Sequence, residues 1–228
     1  MISYYPLEKT KKQIFSLYFL SLIPIYIKGY LNPFIIQYPI LYWLVEILVW
    51  ILFPIYLFDW CGRRRLQISY EKLGYHTKLC GEYIQGGYIS TTVILIPIIF
   101  ISYALLRKLS SHIIFDNYLY HGFSYGDLIP AYGIERYIVL WFYSISAGFV
   151  EETQRSLCRL LFSNSFEDSI RYVLFSAAFF SLLHWHQGVQ HIFLTFCLGV
   201  LFASLYLYFK NIWPIVVNHV LLDLFLLS

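Results

Sequence analysis

Long apolar runs separated by short polar stretches set the pattern of the chain. A helix crosses the hydrocarbon core of a bilayer with about 20 apolar residues, and runs of that quality recur over residues 13–31, 34–58, 88–106, 136–162, 169–185, 190–209 and 212–227. They predict an all-α fold, a polytopic transmembrane helix bundle of about seven spans. The fifth and seventh runs are short, as expected of helices that tilt, thin the bilayer, or pack inside a bundle against a water-filled cavity. Pro24, Pro39, Pro54, Pro97 and Pro214 fall in or near these runs, where neighbouring helices can satisfy the backbone groups that proline frees. There is no repeat of fixed period and no low-complexity tract, so residues 1–228 read as a single integral membrane domain.

Composition supports this reading. Only 13% of residues are charged, against roughly a quarter in soluble domains. The 22 Tyr and 20 Phe exceed what the interior of a soluble domain of this size can hide. The net charge of +3 comes from short basic clusters beside the apolar runs, which argues against a nucleic-acid partner and for topology signals. Arg63, Arg64, Arg65, Lys72 and Lys78 make 59–87 a cytoplasmic loop, and Lys9, Lys11 and Lys12 place the N-terminus on the same side. Arg107 and Lys108 contradict that count, which puts them outside. Short loops favour a bacterial plasma membrane. Cys61, Cys80, Cys158 and Cys197 show no CxxC spacing, so neither a disulfide framework nor a zinc-thiolate site is expected. The first 20 residues lack a small-residue cleavage site and read as a retained first helix.

Ionisable residues inside a membrane segment are costly and mark function. The last four runs contain Glu151, Glu152, Arg155, Arg159, His184, His186, His191, His219 and Asp223. On a helix, Glu151 reaches Arg155 at i,i+4 and Glu152 reaches it at i,i+3, so one carboxylate can be held while the other stays free. Phe180 and His184 share a face, as do His219 and Asp223. Three such faces around one cavity could activate a water as a general base. Glu151, His184 and His219 are also candidate metal ligands, with zinc the ion such groups suit. The plainer reading is a structural Glu–Arg clamp with hydrogen-bonded packing histidines. His186 and His191, near a helix end, suit an interface, and Arg159 can snorkel.

The set EETQR, FSLLH and HVLLD, in this order and on apolar segments, resembles the CAAX protease and bacteriocin-processing (CPBP) family of intramembrane proteases, which includes the type II CAAX prenyl endopeptidases. SYEKLGY and WPIVVNH are similar to two further family elements. The resemblance implies an intramembrane endopeptidase with its catalytic core in 137–228. Glu151 or Glu152 and His184 would activate water, His219 and Asp223 would support the oxyanion or orient the site, and Arg155 and Phe180 would assist. The substrate would be a membrane-associated peptide or protein in the lipid bilayer. The family places three residues between the second Glu and Arg, whereas only Thr153 and Gln154 intervene here. Either Glu can therefore hold the base position, and a helical bulge would reconcile the two registers. The alternatives are a non-catalytic membrane scaffold of the same fold, which the altered spacing favours, and an ion-coupled transporter, against which stands the absence of internal symmetry.

Overall fold

The computed structural model describes residues 8–76, 88–112 and 128–228. Within them the chain forms seven helices and no strand: α1 (Glu8–Ile35), α2 (Pro39–Arg65), α3 (Tyr88–His112), α4 (Ile134–Arg159), α5 (Phe166–Leu182), α6 (Val189–Phe209) and α7 (Trp213–Leu227). The helices follow the seven apolar runs, and the expected all-α bundle is observed.

Four segments, Lys11–Ile35, Pro39–Arg65, Ile89–Ser110 and Val189–Phe209, are long and apolar enough to cross a membrane. The outward faces of α1 to α3 carry exposed Phe15, Ile27, Leu44, Ile55, Val93 and Leu105, a surface suited to lipid rather than water. α7 has 15 residues, about 22 Å at helical rise, and is shorter than a hydrocarbon core. It is sheltered by packing on α4 and α3.

α5 and α6 lie along each other, α6 also touches α3, and α1 rests on α2 and α4. Ser165 caps α5, its hydroxyl accepting from the Asp168 N–H. In α2, turns with i→i+5 hydrogen bonding occupy Leu48–Leu52 and Tyr56–Arg65. They flank Pro54, which has no N–H to donate and crowds the carbonyl of Trp50.

Residues 59–65 continue α2; 66–76 fold back as turns, and 77–87, with Lys78 and Cys80, lie outside the described residues. The turn at Leu73 and Gly74 docks on the helices that carry the charges. The Ser156 hydroxyl donates to the Leu73 carbonyl, Ile212 N–H donates to the Gly74 carbonyl, and the Tyr75 hydroxyl lies 2.5 Å from that of Thr153. Gly74 has φ +81°, and a Cβ there would stand 2.8 Å from the Tyr206 ring, so both conformation and space require glycine.

One buried ion pair lies outside the segments singled out by sequence. Lys28 of α1 meets Glu46 of α2 at 2.8 Å, both almost fully buried, with Lys28 over the Trp50 ring. Both stand alone in apolar stretches, IPIYIKGYL and WLVEILVW, which was the available signal.

Candidate active site

The charged segment of α4 is an uninterrupted α-helix from Ile134 to Arg159, so no bulge reconciles the two registers. Helical spacing divides the work of the glutamates. Glu152 accepts from Arg155 on both oxygens, Nε to Oε2 at 2.8 Å and Nη2 to Oε1 at 3.3 Å. Arg155 Nη1 donates to the Gly199 carbonyl at 3.1 Å and to the Ser176 hydroxyl at 3.4 Å. Its guanidinium lies between the rings of Phe180 and Phe202, 4.8 and 5.7 Å from their centroids. A buried charge is tolerable only when paired and hydrogen-bonded, and here both conditions hold.

His219 of α7 faces this pair. Its Nδ1 lies 2.8 Å from Glu152 Oε1, while Nε2 lies 3.5 Å from Glu151 Oε2 and 3.7 Å from Asp223 Oδ2. The approach depends on Gly148, one turn before Glu151. A Cβ there would lie 2.7 Å from Val220 Cγ2, so glycine lets α4 and α7 close until imidazole and carboxylate touch. The Phe202 ring backs His219 at 5.3 Å. Asn218 ties α7 to α3, donating to the Thr92 carbonyl at 3.1 Å.

His184 lies in the turn after α5. Its Nδ1 is 2.9 Å from the Phe180 carbonyl, and because a carbonyl only accepts, Nδ1 carries a hydrogen; in the neutral ring Nε2 then keeps its lone pair. His184 shares with Glu151, His219 and Asp223 a cavity of about 480 Å³, whose wall Glu152 does not join. All five residues expected to be catalytic thus come together, but with Glu151 on the cavity and Glu152 behind it. The Phe180 ring lies against the Arg155 guanidinium and its carbonyl meets His184.

The same cavity is lined by Trp50, Tyr143, His191 and, from α3, Tyr103, Arg107 and Ser110. His191, which the sequence suggests is interfacial, is stacked on His184 at 5.8 Å. His186 is buried beside Trp185. Arg159 closes the end of α4, donating to the Phe162 carbonyl and Asn164. These cavity residues are dispersed over the chain, and only their tertiary placement unites them.

The zinc candidates Glu151, His184 and His219 line one cavity, but among the described residues no group of three or more His, Cys, Asp or Glu is arranged so that it could hold a metal ion.

Residues 133–225 match the family described as type II CAAX prenyl endopeptidase Rce1-like. No curated protein and no solved structure matches the chain significantly. The matched segment runs from the start of α4 into α7 and contains EETQR, FSLLH and HVLLD. The match covers less than half of the chain, and it is to the family that these motifs resemble.

Proposed function

We propose that this protein is an intramembrane endopeptidase that hydrolyses a peptide bond of a membrane-associated protein or peptide, with Glu151 and His184 activating the water. One observation carries the assignment. Glu152 is held by both Arg155 and His219, whereas Glu151 lies on the cavity wall with His184, whose Nδ1 is the nitrogen that meets the Phe180 carbonyl.

Water positioned by Glu151 and His184 Nε2 gives up a proton to Glu151 as its oxygen attacks the peptide carbonyl. The resulting oxyanion is met by His219, which with hydrogens on both nitrogens donates Nδ1–H to Glu152 and offers Nε2–H to the substrate. Asp223, one turn further on α7, holds the Nε2 edge in place. Glu151 then passes its proton to the leaving amine as the C–N bond breaks, releasing a new carboxyl and a new amino terminus. Arg155 neutralises Glu152 and so fixes the ring that Glu152 orients.

In this proposal Lys11, Lys12 and Arg63 to Arg65 face the cytoplasm of a bacterial plasma membrane. Reconstitution in proteoliposomes with membrane-embedded peptides, with mass spectrometry of the products, tests the activity. Wild type is expected to yield paired fragments and His184→Ala none; equal yields from both would remove the proposal.

A further inference from the structure

The buried pair of Lys28 and Glu46 takes no part in the proposed hydrolysis, yet a chain of contacts leads from it to the catalytic cavity. Tyr42, one turn before Glu46 on α2, stands beside the Glu46 carboxylate, and its hydroxyl lies 3.0 Å from that of Tyr143 on α4. All four side chains are buried, and Tyr143 lines the cavity that holds Glu151 and His184. Trp50, whose ring lies 5.5 Å from the Lys28 ammonium, lines it as well. A charge pair withdrawn from water is costly, and this one sits where it can act on the site.

The chain of contacts has a direction. A carboxylate only accepts hydrogen bonds, so the Tyr42 hydrogen turns to Glu46. Tyr42 then accepts from Tyr143, whose oxygen can in turn accept from the cavity.

Tyr143, Ala147 and Glu151 recur at i, i+4 and i+8 along one face of α4, and all three line the cavity. Helical rise separates Tyr143 from Glu151 by about 12 Å, the reach of about three to four residues of extended chain. The small side chain of Ala147 keeps the surface between them low. A peptide laid along this face with its scissile bond at Glu151 meets Tyr143 three or four residues away. Its backbone N–H groups, once withdrawn from water, need acceptors.

We propose that Tyr143 is a specificity-determining residue of this site, whose hydroxyl oxygen accepts a backbone N–H of the bound peptide three or four residues from the scissile bond, with Lys28, Glu46 and Tyr42 as positioning residues that set the direction of that hydroxyl. Substrates are then selected for extended backbone, and a residue without an N–H at that place, proline included, is disfavoured. This assignment rests on the peptidase reading, but binding tests it separately.

The probe is a fluorescein-labelled, S-prenylated decapeptide, together with variants in which each amide in turn is replaced by an ester. Binding is read by anisotropy in nanodiscs of zwitterionic lipid, on protein carrying Glu151→Gln so that the probe survives. Hydrolysis by the unaltered chain, followed by mass spectrometry, locates the cleaved bond. With Tyr143 present, one ester three or four residues from that bond is expected to weaken binding about three- to tenfold, the loss of a single hydrogen bond. Tyr143→Phe keeps the ring that stacks on Trp43; it should bind the all-amide peptide more weakly by the same factor and be indifferent to that ester. Lys28→Met with Glu46→Leu should unfold near wild type and lose part of the discrimination. If no ester distinguishes Tyr143 from Tyr143→Phe, the proposal falls, and full discrimination in the double variant would overturn the control by Lys28 and Glu46. Discrimination without hydrolysis overturns the peptidase alone, and hydrolysis without discrimination overturns Tyr143 alone.

Discussion

His219 Nδ1 lies 2.8 Å from Glu152 Oε1 across the interface of α4 and α7, and the opposite edge of Glu152 is held by Arg155 at 2.8 Å. This chain of contacts gives two adjacent glutamates different tasks. Glu152 joins two helices and leaves Glu151 with the cavity.

Loss of Glu152 should therefore be felt as instability. Glu152→Ala leaves Arg155 buried without a counter-charge, a change that costs about 3–5 kcal/mol. Thermal unfolding of the purified protein should shift clearly downward for Glu152→Ala and little for Glu151→Gln. Equal shifts would contradict the division.

The closeness of α4 and α7 should depend on Gly148. Gly148→Ala places a methyl against Val220 and should separate His219 from Glu152, reducing cleavage at least tenfold, since catalytic geometry is sensitive to shifts of about 1 Å. Val220→Ala in the same chain opens that space and should restore much of the activity. Failure of rescue would place the defect elsewhere.

The pair of Lys28 and Glu46 predicts a third result. Glu46→Ala takes the carboxylate from a buried ammonium and should destabilise the protein by about 3–5 kcal/mol, whereas Lys28→Met with Glu46→Leu removes both charges and should recover most of that loss. Thermal unfolding of the two variants checks this, and equal instability would show that the pair contributes more than mutual neutralisation.

Much of this was legible in the sequence because apolar runs and helical spacing are local. Seven runs gave seven helices, and i,i+3 and i,i+4 arithmetic foretold that Arg155 would hold one glutamate. Which one depended on the path of a single helix and on a histidine 67 residues away, and neither is a local property. Arg107 stood out in the sequence as a topology contradiction, and its tertiary placement gives it a position on the cavity. Lys28 and Glu46 each read in the sequence as an isolated charge, and only the packing of α1 on α2 makes them a pair. His191 reads in the sequence only as a residue near a helix end, and the turn after α5 brings it onto His184.

The most direct test of the central claim compares cleavage of a membrane-embedded peptide library by wild type, Glu151→Gln and Glu152→Asp, each shown to be folded by thermal unfolding. Loss of the general base should lower the rate of Glu151→Gln at least about 100-fold, while Glu152→Asp, which keeps the charge beside Arg155, retains measurable cleavage. Wild-type rates in Glu151→Gln, or no cleavage by well-folded wild type, would contradict the account.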